Sequence, residues 1–578
     1  MPRKPEAIRV RLAWPPPADL AAAARLAEAF AALGAAEAGF AARGEGRALL
    51  AAIGGNSPYL SALALAEPAL VRGFVRTGPE PALARATAGL DRLAARADGA
   101  EVAARLRIAK RQVALAVALA DLSGRWPLAR VTGALSDFAD RAVDAALGHL
   151  LRAAHRAGEI RLPDPARPTQ ACGFAVLAMG KLGARELNYS SDIDLVLLYD
   201  PDSPVYHGDQ VSALCNRLAR DLVQAMSARA AEGYVFRIDL RLRPDPAATP
   251  LAVALPAALT YYERMGESWE RAALIKARPA AGDRALGAAF LEAIRPFVWR
   301  RSLDFATIAD IAAVKRRIDA RSGKPAAGRG LARFAGRDLK LGRGGIREIE
   351  FLAQTLELVW GGREPALRIA ATVPALRALA RAGHLPPPAC EALVGAYRFL
   401  RRAEHRLQMR EDRQTHRLPE SAEDLAGFAR FLGYRDPARL EALLARHLGR
   451  VEAEFAAFFA AVPAAPGGLD LGGGGLVPEE SRAALAAQGF AAPDAVAAAQ
   501  AGDEVAAAVV RRWAHALGVG IANAINTFDP DEVVIGGGGA AAGELLLQTA
   551  AGFAEGYVHP GLRGRASVRL ARWGATAG

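Results

Sequence analysis

The chain is poor in cysteine, in aromatic residues and in long apolar runs, and each deficit excludes a class of protein. Among 578 residues there are three cysteines, Cys172, Cys215 and Cys390, which form neither a Cys-x-x-Cys pair nor a metal-ligand spacing. This argues against a disulfide-bonded secreted domain and a cysteine zinc site. Aromatic residues make up only 6% of the chain. Because no basic stripe is interleaved with them, nucleic acid is not an expected partner.

No stretch is apolar enough for a membrane. The first 20 residues carry basic side chains with no uninterrupted apolar segment behind them, and arginine and glutamate interrupt the alanines of residues 21–40. We therefore expect neither a signal peptide nor a membrane span. Together with the scarce, scattered cysteines, this predicts a cytoplasmic protein without disulfides.

The chain is long and rich in alanine and arginine. The apolar fraction is 52% and the net charge is +12. The first value is typical of a core-forming protein, and 578 residues are too many for one core. The basic charge suits nucleotides, nucleic acid or an acidic protein, and it also suits arginines that are merely solvated on helix faces.

Hydrophobic periodicity predicts a mostly helical α+β protein in which a small mixed sheet lies between helical regions. The sheet is expected from the apolar runs FAVLAM, DIDLVLLYD and YVFRIDLRLRP. The predicted regions are a helical segment at residues 1–168, a sheet-containing domain at 169–285, a helical bundle at 286–462, a Gly/Pro-rich linker at 463–478, a short segment at 479–500 and a further segment at 501–578.

Two aspartates in the second apolar run are candidate metal ligands. In a strand, residues two apart point the same way, so Asp192 and Asp194 share one face. Their mutual repulsion would be relieved by a divalent cation, and Mg²⁺ suits oxygen ligands and phosphates. If the third run is also a strand, Asp239 shares a face with Arg241 and Arg243 and completes a metal triad.

The surrounding residues suit phosphate. Arg241 and Arg243 carry guanidinium groups that fit phosphate oxygens. The Gly180-Lys181-Leu182-Gly183 turn would bring backbone amides and the Lys181 ammonium to the same place. Taken singly, the aspartate pair is as well explained by a solvated strand edge, and the arginines by a surface face.

The order of glycine turn, Asp-x-Asp strand and later aspartate resembles the nucleotidyltransferase superfamily of DNA polymerase β. Lys181 stands where that superfamily usually has serine. The stretch GKLGARELNYSSDIDL resembles more closely the bifunctional glutamine synthetase adenylyltransferase/adenylyl-removing enzymes. Further segments agree in order: GNSPYLS, RIDLRLRPD, YYERMGESWERAALIKARPAAGD, KLGRGGIREIEFLAQ and EHRLQMREDRQTHRLP.

This resemblance implies a polymerase β-like fold and the adenylyl-removing reaction. AMP would be removed from a tyrosine of glutamine synthetase by phosphorolysis, giving ADP. Asp192, Asp194 and Asp239 would be catalytic and would hold Mg²⁺. The residues expected to bind nucleotide or phosphate are Gly180, Lys181, Gly183, Ser191, Arg241 and Arg243. The implied partners and ligands are adenylylated glutamine synthetase, the PII signal protein, phosphate, ADP and ATP.

The adenylylating half of that family is expected to be missing. After residue 419 the only Asp-x-Asp is Asp529 with Asp531, and no glycine turn and apolar strand precede it. Two alternatives stay open. The chain could be a non-catalytic module that binds glutamine synthetase or PII, or a nucleotidyltransferase acting on another substrate.

Other family motifs have two interpretations. Trp269, Glu270, Arg271, Lys276 and Arg278 could line a nucleotide cleft or fasten the sheet to its helices. Glu348, Glu350, Glu404 and His405 lie in predicted helices, where paired charges are expected to brace the bundle. His405 and His416 are expected to be structural histidines.

The last segment of the sequence does not continue this family resemblance. The stretch from Gly502 onward resembles the carboxy-terminal end of the ROK family of sugar kinases and repressors, whose glycine turn matches residues 536–539. No phosphate loop or zinc motif of such a kinase is present in the sequence. We therefore expect a partial actin-like α/β fragment, joined to the rest by a fusion or rearrangement near residues 500–502, and no sugar kinase activity.

Overall fold

The computed structural model describes residues 14–93, 98–300 and 329–461, and in the carboxy-terminal segment residues 511, 514–515, 517–518, 521–522, 525, 531–535, 543–558 and 563–570. The chain divides into two compact units, Met1–Val462 and Pro463–Gly578. The first unit contains a mixed sheet between helical regions, so the predicted α+β, mostly helical class is confirmed. Within the described residues, no helix combines the length and apolar character needed to cross a membrane.

The amino-terminal region is helical because capping residues and apolar periodicity agree. Asp19 accepts a hydrogen bond from the Ala22 amide, and Ser57 accepts one from the Leu60 amide. Such caps satisfy amides that a helix start leaves free. The helices are α1 Leu20–Ala31, α2 Ala35–Ala42, α3 Gly44–Gly54, α4 Pro58–Ala66, α5 Pro68–Thr77, α6 Pro79–Ala86, α7 Leu90–Leu93, α8 Gly99–Leu122 and α9 Leu128–Arg156.

The sheet has five strands around a central antiparallel pair. The strands are β1 Phe174–Ala178, β2 Ile193–Tyr199, β3 Ile238–Asp239, β4 Ala252–Ala254 and β5 Arg278–Gly282. β1 lies antiparallel between β2 and β5, and β2 pairs in parallel with both β3 and β4. The first two predicted strands are confirmed. The long third strand is wrong, because regular pairing covers only Ile238 and Asp239 before the chain turns.

Each face of the sheet packs on different helices. Val176, Leu195 and Leu197 join the core shared with the amino-terminal helices, whereas Leu177 and Val196 join a second core on the opposite face. The second face is covered by helices that follow β3 along the chain. These helices are α12 Leu255–Arg264, α13 Ser268–Leu274, α14 Arg284–Ala293 and α15 Arg295–Val298, whereas α11 Val211–Ser227, between β2 and β3, packs on the first face. The tight turn after β1 is α10 Gly180–Gly183.

A helical bundle completes the first unit. Its helices are α16 Ile346–Trp360, α17 Thr372–Arg381, α18 Pro387–Glu411, α19 Ala422–Phe431 and α20 Pro437–Ala461, with 3-10 turns at Gly330–Phe334 and Pro365–Leu367. Its core is built from residues such as Leu352, Leu379, Tyr397 and Leu444. Cys172, Cys215 and Cys390 are buried, and none of them is paired in a disulfide.

A buried carboxyl in this bundle predicts a pH-dependent stability. Glu357 is 2% exposed, and its Oε1 accepts a hydrogen bond from the Ile369 amide at 3.0 Å. Burial raises its pKa from 4.5 to about 8. Between these two values the folded state keeps a proton that the unfolded state loses, so the carboxyl increasingly destabilises the fold as pH rises.

Glu357→Gln should therefore be more stable than the original chain above pH 8, by a few kcal/mol on the scale of about 1.4 kcal/mol per pKa unit. The advantage should shrink towards pH 5. Thermal unfolding from pH 5 to 9 measures it, with exposed Glu391→Gln as the matched control. A pH-independent difference between Glu357→Gln and the original chain would contradict the burial argument.

The described part of the second unit is small. β6 Glu532–Ile535 pairs in parallel with β7 Ser567–Leu570, and α21 Gly543–Tyr557 lies between them in sequence. Ile521, Ile525, Ala550 and Ala554 form its apolar core. The predicted strand and the helix after it are thus confirmed. The glycine turn at residues 536–539, the linker at 463–478 and the segment at 479–500 lie outside the described residues.

Candidate active site

The predicted carboxylates meet at one edge of the sheet. Asp194 on β2 and Asp239 on β3 are direct partners in parallel register, so their backbones are about 4.8 Å apart. Ile193 and Leu195 point into the amino-terminal core, which leaves Asp192 and Asp194 on the other face as predicted. The structure therefore brings Asp194 and Asp239 side by side, with Asp192 two residues upstream.

Of the three carboxylates, Asp194 is the one whose negative charge is least compensated by neighbouring positive charges. Burial raises its pKa to about 6, and the negative charges of Asp239 and Asp192 add to the shift. Lys340 and Arg241 act in the opposite direction without cancelling it. A side chain in this position gains from a nearby cation.

The two other carboxylates are held by arginines. Arg237 Nε donates to Asp192 Oδ1, and its Nη2 donates to the Ser190 carbonyl oxygen at 2.8 Å. Arg241 donates from Nε to Asp239 Oδ2 at 2.9 Å, and this bond lowers the pKa of Asp239. Among the described residues, no group of three acidic, histidine or cysteine side chains already has metal-binding geometry.

The glycine turn is shaped by contacts that exclude side chains. Gly180 has φ of 52°, and a Cβ there would lie 2.5 Å from Asp194 Oδ2. A Cβ on Gly183 would lie 1.9 Å from the Lys276 carbonyl oxygen. Glycine at both positions therefore lets the turn press against Asp194 on one side and against the chain before β5 on the other. Ser191, half-buried, lies in the loop just before Asp192.

The expectation for Lys181 needs correction. Its ammonium group does not point from the turn towards a phosphate position; Nζ donates to Glu404 Oε1 and Oε2 at 3.0 and 3.2 Å. The Lys181 side chain is 11% exposed and Glu404 is fully buried. Burial lowers the pKa of Lys181 to about 8, although Glu404 acts to raise it. The sequence could not show this contact, since 223 residues separate the pair.

Arg243 also differs from expectation. The chain turns after Asp239, and the Arg243 guanidinium donates to the carbonyl oxygens of Leu240, Pro246 and Thr249 at distances of 2.8 to 3.3 Å. It therefore stabilises its own loop. Arg241, whose side chain is 85% exposed, remains at the carboxylate edge.

The ambiguous motif residues mostly fasten elements together. Arg278 donates to both oxygens of Asp140 on α9 at 2.7 and 2.9 Å and to the Gly183 carbonyl oxygen at 3.1 Å. Glu270 caps α13 and accepts from the Tyr261 hydroxyl at 3.0 Å. Trp269 is 44% exposed, and its Nε1 donates to Glu267.

The remaining members of that set, Arg271 and Lys276, are buried, and so is Glu348 of the predicted bundle. Arg271 is 2% exposed, with Nε 3.3 Å from the Val298 carbonyl oxygen. Lys276 Nζ lies 3.9 Å from Glu186 and 3.7 Å from Glu350. Glu348 accepts from the Gly344 amide at 3.0 Å. These contacts support the bracing interpretation.

Three residues that contact or act on the predicted site residues were not themselves among them. Arg237 holds Asp192. Lys340 contributes a positive charge that acts on the pKa of both Asp194 and Glu350. Glu404 anchors the glycine turn through Lys181. The family motifs RIDLRLRPD, KLGRGG and EHRLQ contain them, so the signal was present, but only the fold shows what they contact.

Comparison with protein-family models divides the chain into three. Residues 48–293 match the family described as glutamate-ammonia ligase adenylyltransferase. Residues 312–459 match GlnD PII-uridylyltransferase. Residues 480–578 match the ROK family, and this match begins before the predicted change near residue 500.

Curated relatives resemble most of the chain. Bifunctional glutamine synthetase adenylyltransferase/adenylyl-removing enzymes match at 46% identity over 461 residues in Xanthobacter autotrophicus and at 48% over 411 residues in Rhizobium meliloti. The matches cover 79% and 70% of this chain but only 45% and 41% of those enzymes. The chain thus spans less than half the length of the relatives. The resemblance to these nucleotidyltransferase enzymes is confirmed, as is that of the last segment to the ROK family.

Proposed function

We propose that this chain removes AMP from adenylylated glutamine synthetase by phosphorolysis, releasing the tyrosine and ADP. The observation that carries the proposal is the paired Asp194 and Asp239, pressed against the Gly180 turn, in a chain whose relatives are named for adenylyl transfer and removal. We assign the catalytic domain to residues 169–285, between the amino-terminal helical region at 1–168 and the bundle at 286–462.

The carboxylates fit a divalent cation. Asp194 is a buried carboxyl whose pKa is raised by burial and by two like charges, and a cation would relieve this repulsion. Mg²⁺ is the cation we propose, and Asp192, Asp194 and Asp239 would hold it; when bound it would supply positive charge that offsets the negative charge of the reacting phosphate. Asp239 would have to release Arg241, which is inexpensive because the Arg241 side chain is 85% exposed.

The residues then have separate tasks. The amides of Gly180, Lys181 and Leu182, with Ser191, receive phosphate oxygens, whereas the Gly183 amide donates to the Met179 carbonyl oxygen at 2.9 Å and closes the turn. Arg241, once released from Asp239, offsets the charge that develops as inorganic phosphate attacks the α-phosphorus. The new phosphorus–oxygen bond makes ADP, and the bond to the tyrosyl oxygen breaks, after which that oxygen takes up a proton. Arg237 keeps Asp192 oriented.

The proposal does not need every residue predicted to bind phosphate. Lys181 and Arg243 are engaged elsewhere, and we give them positioning roles: Lys181 ties the turn to α18, and Arg243 fixes the loop after β3. PII and glutamine synthetase are the proposed protein partners, with the arginine-rich surface of the bundle as the region they contact. ATP and ADP are the proposed nucleotide ligands, and the cytoplasm is the proposed location.

Incubation of the purified chain with AMP-modified glutamine synthetase, inorganic phosphate and Mg²⁺ tests the function. ADP should accumulate in step with the loss of AMP from the synthetase, and omission of phosphate or addition of EDTA should stop it. Stable complex formation without ADP release would instead identify a non-catalytic binding module. Release of AMP without ADP would show hydrolysis and would overturn phosphorolysis.

A further inference from the structure

A cavity of about 780 Å³ lies in the first unit, and none of the proposed catalytic residues lines it. One wall is the proline-rich strap at residues 14–17, and another is the loop after α8, which includes Trp126. The bundle supplies the third wall through α18 and the segment after α19. A cavity of this size accommodates a small organic molecule.

The bundle wall is positively charged. It contains Arg402, Arg406 and Arg435 beside His405, whereas the opposite side contributes one carboxylate, Asp121. The Asp121 carboxylate already has partners within the protein. Asp121 accepts from Arg406 Nη2 at 3.1 Å and from the Tyr189 hydroxyl at 3.2 Å, and His405 Nδ1 lies 3.3 Å away. Arg402 and Arg435 are exposed, and the described residues contain no ion-pair partner for either.

Buried polar atoms around this cavity lack partners within the described chain. Trp14 Nε1, Arg406 Nε and His405 Nε2 are all buried without a hydrogen bond, and all three residues line the cavity. His405 is 0% exposed and Arg406 is 5% exposed. A buried polar atom without a partner is unfavourable, so three such atoms in residues that line one cavity point to a bound molecule that supplies their partners.

The two donors define what that molecule must carry. The indole N–H of Trp14 and the Nε–H of Arg406 both require an acceptor. Arg402 and Arg435 add two unneutralised positive charges at the same cavity. Pro16, Trp126 and Phe431 contribute apolar surface to the same cavity. The complementary ligand has a carboxylate at one end and an apolar body at the other.

We propose that this cavity binds a small carboxylate with an apolar body. The carboxylate lies against the arginines and the Trp14 indole, and the apolar body packs between the proline strap and Trp126. His405 follows Glu404 on α18, so the wall of the cavity and the residue that anchors the glycine turn belong to one helix.

Titration calorimetry on the full chain tests the proposal with phenylacetate as the probe and 2-phenylethanol as its neutral counterpart. Phenylacetate should bind saturably, and the alcohol at least about tenfold more weakly. Arg402→Gln combined with Arg435→Gln should weaken phenylacetate binding by about tenfold or more. Both side chains are exposed, so the double variant should fold normally.

Arg398→Gln is the matched control, because Arg398 is an exposed arginine on α18 that does not line the cavity. Its affinity for phenylacetate should equal that of the original chain. Equal affinity for the acid and the alcohol would overturn the proposal, as would a double variant that binds like the original chain. Absence of binding up to about 10 mM would likewise overturn it and leave water as the occupant.

Discussion

Replacing Asp194 by asparagine should reduce ADP release by on the order of 10³-fold, or about 4 kcal/mol of transition-state stabilisation. The substitution keeps the shape of the side chain but removes the charge that a cation needs. The same loss is expected for Asp192→Asn. The measurement is the rate of ADP formation from AMP-modified glutamine synthetase with phosphate and Mg²⁺.

Stability separates this loss from a folding defect. Because burial and neighbouring carboxylates raise the pKa of Asp194 to about 6, its ionised form is unfavourable in the metal-free protein at neutral pH. Asp194→Asn should therefore unfold at the same or a higher temperature in EDTA at pH 7.5, and this advantage should vanish near pH 4. Mg²⁺ should raise the unfolding temperature of the original chain but not that of the variant.

Asp202→Asn is the matched control, since Asp202 is an exposed aspartate in the loop just after β2. It should turn over at the original rate and respond normally to Mg²⁺. If Asp194→Asn kept more than about a third of the original turnover, the carboxylates would not be the catalytic centre. In that case the chain would have to be explained as a binding module.

The carboxylate edge could be predicted because its signals are local. Alternation along β2 places Asp192 and Asp194 together, and the glycine spacing fixes the turn before them. Local patterns did not predict the length of the third strand. RIDLRLRP alternates over eight residues, yet the chain leaves the sheet after Asp239, because Arg243 stabilises a turn by binding carbonyl oxygens of its own loop.

The partners of long side chains could not be predicted, because they are distant in sequence. Lys181 follows a glycine in a turn, where phosphate contact is a reasonable expectation, but its ammonium is bound by Glu404 on the bundle. β4 and β5 were not predicted either. Both strands are short. From the sequence, Arg278 at the start of β5 is one charged residue of a motif, and only the structure shows its pairing with Asp140.

Glu404 joins the catalytic sheet to the bundle and is the centre of a buried charge cluster. Its carboxylate lies 3.0 Å from Lys181 Nζ, 3.0 Å from Arg401 Nε and 2.8 Å from His416 Nδ1. Burial opposes its ionisation, but the positive charges of Lys181 and Arg401 and the His416 hydrogen bond outweigh this and hold its pKa well below the ordinary value. The glycine turn is therefore fixed by a residue from α18.

Glu404→Gln should destabilise the protein by about 3–5 kcal/mol, because it leaves two buried cations without a counter-charge. ADP release should also fall, at temperatures where the variant is still folded, since the turn loses its anchor. Urea unfolding measures the first effect, and the ADP assay measures the second. Exposed Glu423→Gln on α19 is the control and should change neither.

A double-mutant cycle with Lys181→Met separates the anchor from general destabilisation. If the two side chains act as one buried pair, Glu404→Gln combined with Lys181→Met should be less destabilised than the sum of the single changes, by at least about 1 kcal/mol. Activity should stay low in the double variant, because the neutral pair no longer fixes the turn against α18. Additive losses of stability, or recovery of full turnover in the double variant, would show that the Lys181–Glu404 contact does not position the glycine turn.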